Sequence, residues 1–283
     1  MLRVSSITKY EVEVRMALQK LFNVCKLNML HSGDLLLCQQ NGTIDNEGRV
    51  RIGLGRTGIQ SYQRINSIRS RGLRNKTDDE DYFTTLDPMN FHGTTEFEYS
   101  LQEEKSNYLA IWENVYFLRT LTQIVNVVNG TPYDWHLDIL KLSTSGRNKH
   151  IRENIIKRLD SVPKFQEAIK IGYDRNIRNA IAHSQYHCVQ GGISYDNYGS
   201  DEYATLQGIS FEGWERKYIY TYYIFTGIFD VLNQVKNEFY LPMSKITLGQ
   251  GIPVRIPNDD DTYYHEYLYP NEKGDIWRFV KTV

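Results

Sequence analysis

Tyr173-Asp-Arg-Asn-Ile-Arg178-Asn179-Ala-Ile-Ala-His183 is the stretch on which the reading of this chain turns. At about 100° per residue, with Arg175 set at zero, Arg178 falls near −60°, Asn179 near 40°, Ala182 near −20°, His183 near 80° and Tyr186 near 20°. They share one face of a helix. Tyr173, Ile177, Ala180, Ile181 and Ser184 fall between about 140° and 240° and form the mostly apolar face that a bundle buries. Ala182 leaves room beside the guanidinium and imidazole for another chain to approach, where a solvated face more usually carries Lys or Glu. The polar side is therefore read as a contact surface.

Outward from this stretch, Ser161, with Pro163 just inside, opens the helix that carries it to about Tyr186. Gly191-Gly192 breaks the pattern, a β-hairpin is expected over 193–210, and a tyrosine-rich helix follows over 211–239. Upstream, an apolar stripe through Leu109, Trp112, Tyr116, Leu118, Leu121, Val125 and Val128 predicts a long helix over 95–128, ended by Asn129-Gly130-Thr131-Pro132. Residues 134–142 and 149–159 read as shorter helices. Thr8 and Glu11 form a capping-box pair for a helix over 8–30, with Val14, Ala17, Leu18, Leu21 and Cys25 on its buried face. Leu35–Cys38, the Asn41-Gly42 turn and Arg49–Ile52 suggest a small strand pair. Residues 78–93 read as a loop.

The fold class expected is mainly α: an up-and-down helical bundle over 96–240 with a small β-hairpin, an N-terminal α+β extension over 1–95, and an irregular tail over 241–283 packed on the bundle. No internal repeat is found. With 283 residues, 33 Lys+Arg against 34 Asp+Glu and 41% hydrophobic residues, the composition is that of a globular protein with a substantial core. The longest charge-free apolar stretch, Tyr218 to Phe229, is too short to cross a bilayer, which needs roughly 18 residues or more. Met1 runs directly into polar sequence without a leader, so a cytoplasmic protein is expected, with no membrane partner. Cys25, Cys38 and Cys188 lack C-x-x-C spacing, which excludes a disulfide framework and a zinc finger.

Arg178-Asn179-x-x-x-His183, late in a long helix and followed by a hairpin and another long helix, resembles the Arg-x(4 to 6)-His motif of the HEPN superfamily in its Arg-Asn-x-x-x-His variant. The resemblance covers roughly residues 97–240, about half of the chain. It implies a four- to five-helix bundle that dimerises through the motif helices, and metal-independent endoribonuclease activity of the kind found in ribonuclease toxins and antiviral defence effectors. Carried onto this sequence, Arg178 and His183 are the catalytic pair and Asn179 the polar helper. Arg175, Tyr186 and Lys170 are the candidate substrate-binding residues. The implied partners are RNA, a second copy of the chain, and an antitoxin or sensor; neither a metal nor another cofactor is implied. Position 185 is Gln where some family members carry a tyrosine two residues after the histidine, so regulation by tyrosine modification is not expected.

The chemistry suits these residue types. An imidazole titrates near neutral pH and can take the proton from a ribose 2′-hydroxyl. A guanidinium stays charged and can hold phosphorane oxygens through two parallel hydrogen bonds. The alternative is a non-catalytic dimerisation or sensor module, in which the Arg-Asn pair only bonds an interface or a neighbouring loop.

Other signals compete. Gly53-x-Gly55-x-x-Gly58 fits a dinucleotide fingerprint on paper, but no βαβ alternation follows it, and a glycine-rich turn is the plainer reading. Asp259-Asp260-Asp261 with His265 and Glu266 could ligate a cation or mark a solvated turn. His187-Cys188 reads as a buried thiol beside a histidine, and the tyrosines of the last helix as packing rather than base stacking. Residues 49–76 hold eight Lys/Arg and no acids, whereas 77–104 hold nine acids and no Lys/Arg. The basic segment, with Arg56, Arg64, Arg69, Arg71, Arg74 and Tyr62, either contacts RNA or is neutralised by the acidic one. A second basic region, 141–178, has ten Lys/Arg against four acids and adjoins the motif as a substrate track.

Overall fold

The structure, a computed structural model, describes residues 2–45, 48–52, 56–85, 95–189, 191–196, 208–246, 251–258, 260, 262–271 and 277–279. Chain order begins with β1 (Leu2–Arg3), α1 (Val4–Asn28), α2 (Asp34–Gln40), β2 (Thr43–Ile44), β3 (Val50–Arg51), α3 (Arg56–Arg71), β4 (Lys76–Thr77) and α4 (Tyr82–Thr85). Then come α5 (Thr95–Trp112), α6 (Val115–Val128) and α7 (Thr144–His150), the last continued by a π-helical turn and a 3-10 turn to Arg158. After α8 (Pro163–Gly172) and α9 (Arg175–Ala182) come the strands β5 (Tyr186–Val189), β6 (Gly192–Tyr195) and β7 (Gly208–Ser210). The chain closes with α10 (Phe211–Val235), a π turn, α11 (Leu241–Ile246), β8 (Ile252–Pro257), β9 (Tyr263–Pro270) and β10 (Trp277–Phe279). The protein is mainly helical with small, largely antiparallel sheets, as its periodicity predicts. No helix among the described residues is long and apolar enough to cross a membrane.

Several elements differ from the sequence reading. Leu35–Cys38 lie in the helix α2, whose Leu35, Leu36, Leu37 and Cys38 are all buried, because a short apolar run packs equally well as a helical turn. α1 starts at Val4, so Thr8 sits inside it and its hydroxyl bonds back to the Val4 carbonyl at 3.0 Å instead of capping. The helix expected over 95–128 is broken at Glu113-Asn114, and the one expected over 161–186 at Tyr173-Asp174. The helix expected over 134–142 is instead a run of turns, bends and irregular chain. The hairpin region is a three-stranded antiparallel sheet, β5-β6-β7, that starts at Tyr186, and the last segment forms a second one, β10-β9-β8, with Ile252, Val254 and Ile256 buried on one face.

The chain divides into two compact units: residues 1–18, 64–114 and 164–226 in one, and 19–63, 115–163 and 227–283 in the other. The core of the first is aromatic, and several of its buried hydroxyls and indole N–H groups find acceptors, while the buried Tyr195 hydroxyl has none among the described residues. Tyr218 donates to the Gly72 carbonyl at 2.7 Å, Tyr222 to the Arg69 carbonyl at 3.1 Å, and Trp214 to Glu104 at 2.8 Å. The tyrosines of α10 are packing residues. In the second unit, Leu121, Ile124, Val125 and Val128 of α6 are fully or almost fully buried, and Tyr116 stacks on Phe229 with centroids 5.4 Å apart. Gly33 has no side chain because the Pro253 carbonyl would lie 2.5 Å from a Cβ there.

Asp34, buried at the start of α2, accepts the His31 backbone N–H at 2.9 Å, yet desolvation still raises its pKa to about 6. An unfolded aspartate titrates near about 4, so between about pH 4 and 6 the folded state holds a proton that the unfolded state has lost. Asp34 therefore favours the folded state most below that window, and its contribution is lost as pH rises through it. Asp34→Asn should flatten the stability profile over this window in urea titrations; an unchanged slope contradicts the assignment.

Candidate functional site

α9 is only eight residues long and is defined at both ends by side-chain and backbone caps. Asp174 at its N-cap accepts the N–H groups of Asn176 and Ile177 at 2.8 and 3.1 Å. The Tyr108 hydroxyl of α5 accepts the Asp174 N–H at 3.0 Å. At the other end, Gln185 N–H reaches the Ala180 carbonyl at 2.8 Å and Ser184 N–H the Ile181 carbonyl at 3.3 Å. This is a Schellman motif with Ser184 in the left-handed region, φ 54°.

Between these caps the helix turns Ile177, Arg178 and Ala180 inward against α5 and leaves Arg175, Ala182 and His183 exposed. Arg178 is 4% exposed, which corrects its expected place on the open polar face. At about −60° it lies on the seam between the two faces, and Glu113 draws it inward through a direct ion pair. Its Nη1 donates to Asn179 Oδ1 at 3.0 Å. Burial presses the Arg178 pKa down, with Tyr108 opposing, and the guanidinium remains charged. Asn179 is half-buried beside it, so Arg178 and Asn179 are brought together, while His183 is exposed.

Tyr186 is not on the helix but opens β5; its hydroxyl donates to Gln102 Oε1 at 3.2 Å and its ring sits under the Lys105 ammonium, 4.0 Å from the centroid. Lys170 is exposed on α8 and donates to Gln166 at 3.0 Å. Glu113 was not foreseen, nor was the Tyr108 clamp. The signal for Glu113 was a carboxylate beside Trp112 inside an otherwise apolar stripe, where a charge needs a partner.

No family model, no curated protein and no solved structure matches this chain.

The Gly53-x-Gly55 loop lies outside the described residues, as do Asp259 and Asp261. Asp260 accepts both the backbone N–H and the hydroxyl of Thr262, the pattern of a turn, and no metal-binding cluster occurs among the described residues. His187 pairs with Asp196 at 3.0 Å, and burial pushes the Cys188 thiol up. Arg49 and Arg51 both pair with Asp45, outside the acidic stretch 77–104. In the second basic region, Lys141 pairs with Asp138, and Arg152 and Lys157 with Glu153, while Lys149, Lys164, Lys170 and Arg175 are exposed.

The two caps make opposite predictions. Ser184→Gly should raise stability by about 1 kcal/mol, because only a non-glycine residue is penalised at positive φ, and Asp174→Ala should lower it by about 1 kcal/mol. Urea midpoints measure both; a neutral or destabilising Ser184→Gly contradicts the Schellman assignment.

Proposed function

We propose that the chain is a cytoplasmic, metal-independent endoribonuclease, acting as a growth-arrest toxin or an effector of defence against phage, restrained by an antitoxin or sensor partner. One observation carries the reading: a guanidinium fixed by Glu113 and Asn179 and an exposed imidazole occupy the same short, doubly capped helix. His183 takes the proton of a ribose 2′-hydroxyl, the oxygen attacks the adjacent phosphorus, and the bond to the 5′ oxygen breaks. The leaving oxygen collects a proton from water, and the imidazolium returns its own to solvent. Arg178 stabilises the charge on the phosphorane oxygens. Arg178 and His183 lie about 140° apart around the helix axis, so one protomer does not aim both at one phosphate. Two copies meeting across the exposed Ala182 bring Arg178 of one toward His183 of the other, as an isologous interface requires.

A second reading has its own observation. Arg178 is buried and ion-paired, the position of a cation that holds helices together in a non-catalytic dimerisation or sensor module. The exposed histidine separates the two, since its removal disturbs no core contact. Total RNA in excess EDTA should be cut to products with 2′,3′-cyclic phosphate and 5′-hydroxyl ends. His183→Ala should lower the rate at least ~10²-fold, the scale of general-base catalysis, at an unchanged melting temperature. Cleavage that stops in EDTA overturns the mechanism, and wild type that cuts no RNA in any tested state favours the module.

A further inference from the structure

The first unit contains an open groove between α3 and α5. Tyr99, Gln102, Glu103 and Ser106 follow one another at i, i+3, i+4 and i+7 along one face of α5, and Ser67 and Arg71 at i and i+4 along α3. The groove is open to solvent and has a volume of about 420 Å³, within the range of small-ligand sites. Its walls are not those of a core. Tyr99 is 71% exposed, and Arg71 and Gln102 are exposed as well. An exposed aromatic ring, a guanidinium and a carboxylate in one groove form a constellation with a chemical meaning: a face to stack on, a cation for a phosphate and a pair of acceptors for two adjacent donors.

We propose that this groove binds a guanosine phosphate, as a residue of single-stranded RNA or as the free nucleotide. The base stacks on Tyr99, since an exposed tyrosine ring offers a face to any nucleobase. Arg71 holds the phosphate through charge-assisted hydrogen bonds. Glu103 reads the base. An ionised carboxylate only accepts hydrogen bonds, and guanine alone among the four RNA bases presents two adjacent N–H donors, N1 and N2, on its Watson–Crick edge. Adenine, cytosine and uracil place an acceptor there, which a carboxylate repels. Asn75 Nδ2 lies 3.5 Å from Glu103 Oε2, a long hydrogen bond to one oxygen of the carboxylate. Gln102 links the groove to the motif, because its Oε1 accepts the hydroxyl of Tyr186, three residues past His183. The preference for RNA as the source of the guanosine rests on the ribonuclease reading; the groove chemistry does not.

The test is isothermal titration of the full chain carrying His183→Ala, in excess EDTA so that binding is measured without cleavage. The ligands are a nine-residue oligouridylate, the same oligomer with one central guanosine, and guanosine 5′-monophosphate. The central guanosine should tighten binding at least ~10-fold, the lower end of a bidentate base contact. Glu103→Gln should abolish that preference without weakening oligouridylate binding. Tyr99→Ala should weaken both oligomers about 10-fold, and Arg71→Ala should weaken both as well. Guanosine 5′-monophosphate binding as tightly as the guanosine-containing oligomer supports the site and assigns it to the free nucleotide. Equal affinity for the two oligomers, or a guanosine preference that survives Glu103→Gln, overturns the proposal. Preferential binding by a protein whose wild type cuts nothing removes the catalytic reading alone, and cleavage without any preference removes the groove alone.

Discussion

A guanidinium withdrawn from water has to be given an anion, and in this chain Arg178 is given Glu113. The rest of the candidate site depends on that pairing. Glu113 stands just past the end of α5, where the helix breaks before α6, and Arg178 stands one turn into α9, so the pair ties the short motif helix to the end of a long one. Removing one partner strands a buried charge, which costs about 3–5 kcal/mol in such settings, whereas replacing both by apolar residues is often neutral. Glu113 keeps some exposure to water, which places the cost at the lower end of that range. The pair is therefore better understood as an orienting device than as a source of stability. With Arg178 turned inward, the geometry of a helix leaves His183 on the outside, at the mouth of the C-terminal cap.

The same logic runs through the surrounding unit. A buried hydroxyl or indole N–H must be satisfied, and the tyrosines of α10 meet that demand by reaching backbone carbonyls at the end of α3. Tyr222 finds Arg69 and Tyr218 finds Gly72, where a side chain at position 72 would strike the Tyr222 ring. These bonds fix the end of α3, and so the place of Arg71 across the groove from the polar face of α5. Glu11 and Glu13 of α1 likewise accept the hydroxyls of Tyr223 and Tyr220. An aromatic helix that a sequence scan reads as packing is at once packing and scaffold, because its polar tips set where its neighbours end.

What the sequence made legible was periodicity. α1, α10 and the amphipathic motif segment follow from apolar residues at helical spacing. What it concealed were competitions decided by single polar groups or by distant partners. Asp174 can cap a helix as readily as continue one, and its side chain, with the Tyr108 hydroxyl on its backbone, decides for a new start. Leu35–Cys38 is too short a run for its period to separate a strand from a helical turn. Arg178 falls between the two faces of its helix, and its burial follows only from an acid 65 positions earlier in the chain. The strands β8 and β9 showed only in Pro253–Ile256, since the exposed face of β9 is itself rich in tyrosine and masks the alternation.

The central claim is that a buried cation and an exposed imidazole, diverging around one helix, act together only across two copies of it. Subunit-exchange complementation tests it most directly. Arg178→Lys keeps a charge for Glu113 and loses the planar fork, and His183→Ala keeps the fold and loses the base, so each pure protein should be inactive. Mixed under conditions that exchange subunits, they should regain cleavage, because a mixed dimer still holds one composite centre with an intact Arg178 and an intact His183. Mixed dimers captured through two different affinity tags that remain as inactive as their parents would contradict the account.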